Sequence, residues 1–258
     1  MDSIAHKRCH PVPEGRMDSL AVFCRNLEMK KRDAIRKSSI VFYIFSTFKA
    51  KMPANKTIMP LLGGAYFHIF NRGINRHKIF FKPENYDYFL YLWTKYLQDY
   101  TKVLAYCLLP NHFHFLVKLP EKVVLENPDN NETEELTGEP EVGAFISERL
   151  RRLFISYSQA VNIQENRVGS LFTRNFKRLM IEEDEHLRYL FFYIHYNPVK
   201  HGFISDFKKY RYSSYQAYVS DKPTKISKDL GLELFDGLEN FLNFHDYLHE
   251  EKENLNLE

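Results

Sequence analysis

The chain has 258 residues, of which 44% are hydrophobic and 27% charged, a composition typical of a globular protein with one sizeable core. Its three cysteines, Cys9, Cys24 and Cys107, are scattered and form no CxxC pair, which argues against a disulfide framework or a cysteine zinc site and favours a cytoplasmic protein. The apolar runs fall short of the ~18 residues that a membrane span needs, and the first residues lack the order of a secretory signal.

The formal net charge of +3 hides an uneven distribution along the chain. Residues 1–60 hold 12 Lys and Arg against 5 Asp and Glu, and residues 61–120 with 142–220 hold 19 against 10. Residues 121–141 hold 8 acidic residues against 1 basic residue and are predicted to be a solvated loop, while residues 221–258 hold 10 against 4. The basic surplus favours a polyanionic partner such as nucleic acid, although many soluble proteins carry a similar surplus.

Hydrophobic periodicity predicts a mixed order of strands and helices. The predicted elements are a strand at 65–71, a helix at 84–100, two strands at 103–109 and 112–119 around a Pro110-Asn111 turn, a helix at 142–163, a strand at 171–181 and a helix at 185–197 that ends at Pro198. The first six give the order β-α-β-β-α-β, which predicts an α+β, ferredoxin-like sheet with helices on one face and the other face free for a ligand. The helix at 185–197 and a partly helical C-terminal extension follow it.

The third predicted strand carries the first candidate chemistry, a His-x-His pair. Side chains alternate along a strand, so His112 and His114 point to one face, while Phe113 and its apolar companions at 115, 117 and 119 point to the core. Two imidazoles on one face can bind one divalent cation, although a pair of surface histidines gives the same pattern.

The helix at 185–197 carries the second candidate chemistry. Its buried stripe is predicted to consist of four apolar residues, namely Leu187, Leu190, Phe191 and Ile194. Tyr189, Tyr193 and Asn197 follow at intervals of four residues on another face, so that a phenol and an amide oxygen become neighbours. In a chain with 17 tyrosines, periodicity alone favours ordinary packing over catalysis for Tyr193.

Five segments in order resemble one family over about residues 60–218. They are YFHIFNRG at 66–73, LLPNHFHFLV at 108–117, GSLFTRNFKRLMI at 169–181, YIHYNPVKHGFI at 193–204 and YRYSSYQAY at 210–218. This stretch resembles the IS200-like transposases of the HUH superfamily, in particular the REP-associated tyrosine transposase branch. The resemblance implies a metal motif at His112 and His114, a nucleophile at Tyr193 and a third metal ligand at Asn197.

The implied reaction is cutting and rejoining of single-stranded or hairpin DNA through a 5′-phosphotyrosine intermediate. Two imidazoles, one amide and phosphate oxygens favour Mg²⁺ or Mn²⁺ as the divalent metal, with Zn²⁺ as the alternative. Candidate phosphate contacts are basic residues expected to border the site, with three of them on the fourth strand. They are Arg72, Arg174, Lys177, Arg178 and Lys200.

The resemblance divides the chain into three parts. Residues 1–59 form an N-terminal extension of unknown role that departs from the family pattern, residues 60–220 the catalytic domain, and residues 221–258 an acidic C-terminal extension. No membrane partner is expected, and the sequence leaves the choice between a monomer and a homodimer open.

Two other functions remain in competition. One is a DNA-binding protein of the same fold without turnover. The other is a histidine-based metal hydrolase unrelated to DNA, which the lack of further His or Glu ligands at helical spacing disfavours.

Overall fold

The computed structural model describes residues 59–126 and 132–255. Its ferredoxin-like part consists of β1 (Tyr66–Arg72), α1 (Pro83–Leu97), β2 (Lys102–Leu109), β3 (His112–Lys118), α2 (Glu139–Gln164) and β6 (Lys177–Ile181). A small hairpin, β4 (Val123–Glu126) and β5 (Thr133–Leu136), separates β3 from α2. After β6 come α3 (Asp184–Lys200), α4 (Tyr215–Val219), α5 (Lys228–Glu233) and α6 (Leu238–Leu255).

The four main strands form one antiparallel sheet in the order β2-β3-β1-β6. This order places the last strand beside the first, and it is the arrangement that a β-α-β-β-α-β chain adopts when two split βαβ units interlock. The predicted fold class is therefore confirmed. Because β1 pairs with both β3 and β6, residues of three distant segments meet at the centre of the sheet.

One sheet face carries the main hydrophobic core, which lies between the strands and α1 and α2. Phe113 and Phe115 of β3 are at most 1% exposed, as alternation along the strand predicts. Phe89 of α1 lies 5.1 Å from Phe113 between ring centroids, and the Tyr157 hydroxyl of α2 donates to the Ile79 carbonyl at 2.7 Å. Burial of these aromatic rings fixes which alternate residues of β3 face the core, and thereby directs His112 and His114 to the opposite face.

The opposite face of the sheet is not free, and that part of the prediction was wrong. Helix α3 crosses it and contacts β2, β3 and β6. Leu190 and Ile194 of α3 are fully buried, as is Leu116 of β3, which shares its sheet face with His112 and His114. The apolar stripe predicted for this helix therefore packs on the sheet face that carries the two histidines.

Helix α3 continues past Pro198 to Lys200, whereas the sequence predicted its end at Asn197. Proline lacks the N–H that would bond the carbonyl four residues earlier, so one helical bond is lost. Pro198 is buried, and its own carbonyl still accepts the Phe203 N–H at 2.9 Å. Packing and the remaining bonds therefore outweigh the missing one over this last turn.

Two further predictions needed correction. Residues 171–176 are not part of the fourth strand, which begins at Lys177; they form a connection tied to β1 through the Thr173 N–H, which donates to the Arg72 carbonyl at 2.9 Å. The acidic segment 121–141 is not a plain loop, because it contains the β4-β5 hairpin and the first turn of α2. Residues 127–131 of that segment lie outside the described residues, as does the N-terminal extension up to residue 58.

The C-terminal extension is partly helical, as expected, and α6 packs on α3 through a buried chain of hydrogen bonds. His245 of α6 has its Nδ1 2.8 Å from the Phe241 carbonyl, so Nδ1 donates and Nε2 is left as an acceptor. The Nδ1 of His195 donates to this Nε2 at 3.0 Å, and the Nε2 of His195 lies 2.8 Å from the hydroxyl of Ser214, which donates to it. With both imidazoles neutral, every ring nitrogen of this chain of hydrogen bonds has a partner.

This network predicts that acid weakens the fold. Burial lowers the pKa of His245 to about 4 and holds that of His195 well below its ordinary value of 6.5. Between pH 6.5 and 4 the unfolded chain binds protons that the folded chain excludes, so the free energy of unfolding falls with pH in this window and is flat above it. At pH 5 the expected loss from His245 alone is about 2 kcal/mol.

Urea unfolding between pH 5 and 8 measures this dependence, and His245→Gln provides the comparison because glutamine cannot titrate. We expect a shallower decline for the variant below pH 6.5. Equal slopes for the variant and the parent protein would contradict the assignment.

In the described part of the chain, no helix has the length and apolar character needed to cross a bilayer.

Candidate active site

Strand register brings β1, β3 and α3 together at one end of the sheet. Arg72 pairs with His112, and Phe70 pairs with His114. Tyr193 of α3 packs edge-on against His114, with 5.8 Å between ring centroids. The Tyr193 phenol therefore meets the two imidazoles at one site, although it follows His114 by 79 residues in the chain.

The third predicted metal ligand, Asn197, is fully buried and faces His112. Its Nδ2 donates to the Tyr193 carbonyl at 3.3 Å, one helical turn earlier, which turns its Oδ1 toward His112 Nε2 at 3.3 Å. The predicted metal ligands His112 and Asn197 are thus neighbours, and His114 follows on the same strand face, with 5.2 Å between the two imidazole centroids.

The hydrogen bonds around His112 leave its contact with the Asn197 oxygen without a proton. Asn111 Nδ2 donates to the Arg76 carbonyl at 3.3 Å, so the Asn111 Oδ1 faces His112 Nδ1 at 2.6 Å and must accept its N–H. A neutral His112 then presents a bare lone pair at Nε2 to the Asn197 oxygen. Burial lowers the pKa of His112 to about 4, so the doubly protonated ring is absent at neutral pH. Two acceptors thus face each other.

A cation between these two acceptors removes the conflict. Cation-to-ligand distances of about 2.1 Å place adjacent ligands roughly 3 Å apart in octahedral coordination, close to the observed 3.3 Å. Burial also holds the pKa of His114 well below its ordinary value, so both imidazoles are neutral, as metal ligation requires. The donor set therefore fits a divalent cation of the kind that accepts nitrogen and oxygen ligands.

The described residues contain no group of three His, Cys, Asp or Glu side chains suited to a metal ion. Among side chains of other types, the structure places the amide of Asn197 beside His112, where it could serve as a third ligand. Cys107 pairs with His114 across the strands, but burial raises the pKa of its thiol well above the ordinary value, which disfavours the thiolate that metals bind.

Lys200 lies beside the candidate nucleophile. Its Nζ donates to the Tyr193 hydroxyl at 3.3 Å and sits 4.6 Å from the centre of the Tyr193 ring. Tyr193, Asn197 and Lys200 therefore form one row on α3, with the candidate nucleophile, the candidate amide ligand and a positive charge in successive turns.

The other predicted basic residues divide between the two sides of the sheet. Lys177 pairs with Phe70 and so shares the sheet face of His114, and Arg72 pairs with His112; both are exposed. Arg178 pairs with Ile69 on the core face, where it donates to the Met59 carbonyl and stacks on Phe176. The expectation that Arg178 borders the site was wrong, because adjacent residues of a strand point to opposite faces.

Arg174 lies in the connection before β6, not on the strand, and lines an open cleft of about 550 Å³ between that connection and α2. Asn71, the neighbour of Arg72, lies at one edge of this cleft and accepts the Thr173 hydroxyl at 2.6 Å. Arg174 is therefore anchored near the end of β1 that leads to the histidine site, although on the other side of the sheet.

Two histidines near the site were missed by the sequence reasoning. His201 lies 4.8 Å from His112 between ring centroids, directly after the predicted Lys200. His68 stacks on His114 at 5.1 Å and forms a 2.8 Å hydrogen bond with it. Alternation of side chains along the segment YFHIFNRG could have indicated the sheet face of His68. Only the pairing of β1 with β3 shows that His68 meets His114.

Two comparisons with known proteins found matches to this chain. A Haemophilus influenzae protein that carries the name REP-associated tyrosine transposase is 30% identical over 116 residues, which are 44% of this chain and 58% of that relative. A solved structure of a REP-associated tyrosine transposase bound to a REP hairpin aligns with a TM-score of 0.46 and 20% identity, covering 64% of this chain and 86% of the other. No family model matches the chain. The chain spans less than two thirds of the length of the Haemophilus influenzae protein. The sequence similarity to that protein confirms the resemblance to the REP-associated tyrosine transposases.

Proposed function

We propose that this protein cuts and rejoins single-stranded DNA, with Tyr193 as the nucleophile and His112, His114 and Asn197 as ligands of a divalent metal. The observation that carries the proposal is the meeting of a phenol with two neutral imidazoles and an amide oxygen, in which the His112 and Asn197 acceptors face each other without a proton. Ordinary core packing does not account for the contact between the two acceptors of His112 and Asn197. The relative that is named as a transposase supports DNA as the substrate class.

The chemistry follows from these groups. The Tyr193 oxygen attacks the scissile phosphorus, the phenolic proton passes to water, and the P–O3′ bond breaks to leave a free 3′-hydroxyl after protonation. The product is a 5′-phosphotyrosine ester, and attack by another 3′-hydroxyl on it restores a phosphodiester without an external energy source. When bound, Mg²⁺ or Mn²⁺ supplies the electrophilic stabilisation of the developing phosphate charge.

The residues of the chain supply positioning and charge. Asn197 connects the Tyr193 turn of α3 to His112, which keeps the nucleophile and the ligand set in one geometry. The Lys200 ammonium orients the Tyr193 hydroxyl and offers a positive charge for a phosphate at the same position. Arg72 and Lys177, exposed around this site, are proposed contacts for the flanking phosphates.

A denaturing gel with labelled DNA tests the proposal. The protein is incubated with Mn²⁺ and candidate hairpin oligonucleotides with single-stranded flanks, drawn from several sequences and labelled at either end. A 5′-phosphotyrosine link requires that the 3′-terminal label stay with the protein and that the 5′-terminal label be released. Retention of the 5′ label would contradict the polarity.

The same assay distinguishes the two other candidate functions. Tight DNA binding without any adduct, with Mn²⁺ or Mg²⁺ present, would indicate a DNA-binding protein without turnover. Hydrolysis of a small phosphodiester without cleavage of any oligonucleotide would indicate a metal hydrolase unrelated to DNA.

Neighbouring basic residues of β6 provide a matched prediction for DNA affinity. Lys177→Ala removes an exposed charge on the histidine face, so we expect the affinity for single-stranded DNA to fall roughly 3- to 10-fold and the slope of log K against log salt to flatten by about 0.7. Arg178→Ala, on the core face, should leave both quantities nearly unchanged. Fluorescence anisotropy at four salt concentrations measures them, and equal effects of the two variants would refute the placement of DNA on the histidine face.

A further inference from the structure

His68 occupies a position where an apolar residue would be expected. It lies in the central strand β1, is 2% exposed, and stacks against both Phe70 and His114, with 4.5 Å and 5.1 Å between ring centroids. Its Nδ1 is buried and has no hydrogen-bond partner among the described residues. A buried polar atom without a partner costs about 1–3 kcal/mol, so a purely structural role would be better served by phenylalanine.

The other nitrogen of His68 has one partner, which is a proposed metal ligand. His68 Nε2 lies 2.8 Å from His114 Nδ1, so a single proton is shared between the two rings. Both rings are buried, at 2% and 7% exposure, and a neutral buried imidazole carries one N–H. Only two arrangements of the protons are then possible.

The two arrangements differ in what His114 presents to Tyr193 and the site. If His114 Nδ1–H donates to His68 Nε2, the Nε2 of His114 carries a lone pair and can bind a cation. If His68 Nε2–H donates instead, the Nε2 of His114 carries the proton and cannot bind one. Histidines that bind metals generally donate their second N–H to a fixed acceptor, and Asn111 fills that role for His112.

We propose that His68 is the corresponding positioning residue for His114: it accepts the His114 Nδ1–H and thereby turns the Nε2 lone pair of His114 toward the metal. This inference rests on the metal role proposed above. It explains why a buried histidine with one unsatisfied nitrogen occupies the centre of the sheet.

Three variants separate this role from packing. His68→Phe keeps an aromatic ring of similar size but removes the acceptor, and we expect the Mn²⁺ dissociation constant to rise about 10- to 100-fold while the melting temperature stays the same or rises. His68→Gln restores an acceptor oxygen and should recover most of the affinity. His77→Gln removes an exposed histidine and controls for unspecific binding by surface imidazoles. Calorimetric titration with Mn²⁺ measures the dissociation constants.

Long-range ¹H–¹⁵N correlation spectra of the metal-free protein at pH 7.5 read the proton positions directly. The expected result is a protonated Nδ1 and an unprotonated Nε2 on His114. A proton on Nε2 of His114, or unchanged Mn²⁺ affinity in His68→Phe, would overturn the role of His68. Failure of the unmodified protein to bind Mn²⁺ would instead overturn the proposed metal function, because the tautomer is measured without metal.

Discussion

Tyr193→Phe is expected to abolish the covalent protein–DNA adduct and to lower strand cleavage roughly 10³-fold or more, because no other group at the site replaces the lost nucleophile. The ring contacts with His114 and His68 persist in the variant, since phenylalanine keeps the same aromatic plane. The hydroxyl and its Lys200 contact disappear. The free energy of unfolding should therefore change by about 1 kcal/mol or less.

The measurement is a time course of adduct formation with saturating Mn²⁺, together with DNA affinity by anisotropy. DNA affinity should remain within about 3-fold of the parent value, because Tyr193 contributes chemistry and little charge. Tyr189→Phe is the matched control, since Tyr189 lies one turn earlier on α3 and is 4% exposed, with burial raising its pKa to about 12. Equal losses in both variants would indicate that packing of α3, not nucleophilic attack, had been damaged.

His112→Ala is expected to weaken Mn²⁺ binding at least about 100-fold, since loss of a mere outer-shell partner already costs 10- to 100-fold. Cleavage should fall with it at low Mn²⁺ and recover in part at high Mn²⁺, because the remaining ligands still bind the cation weakly. The melting temperature of the metal-free protein should stay the same or rise, because the variant removes the contact between two acceptors, His112 Nε2 and Asn197 Oδ1.

His201→Ala is the matched control for this variant. Its imidazole lies beside that of His112 but is exposed, and its hydrogen bond to Asn197 is made by the backbone N–H, which donates to the Asn197 carbonyl at 3.1 Å and is kept in alanine. We expect a change in Mn²⁺ affinity of about 3-fold or less, measured by the same calorimetric titration. Loss of affinity in His201→Ala equal to that in His112→Ala would show that the ligand set has been assigned incorrectly.

Local sequence patterns predicted the strands, the helices and the ferredoxin-like class well, but not the register in which the strands pair. Alternation along β3 assigned Phe113 and Phe115 to the core and His112 and His114 to the other face, because a strand has only two faces. The same rule applied to β6 would have separated Lys177 from Arg178. That separation was missed, although it follows from the adjacency of the two residues wherever the strand begins.

What lay beyond prediction depends on long-range contacts. The meeting of His68 with His114 requires the β1-β3 register, and the cover of the histidine face by α3 requires tertiary packing of Leu190 and Ile194. Pro198 misled the prediction of the helix end for the same reason, since its burial compensates for the backbone bond it lacks. The order of the five motifs indicated the family resemblance before any of these contacts was known.

Anomalous diffraction from crystals soaked in Mn²⁺ tests the central claim most directly. The account predicts one manganese peak within about 2.0–2.4 Å of His112 Nε2, His114 Nε2 and Asn197 Oδ1, with the Tyr193 hydroxyl facing the open side of the ion. A peak bound elsewhere, or a Tyr193 hydroxyl directed away from an ion held by these three ligands, would contradict it.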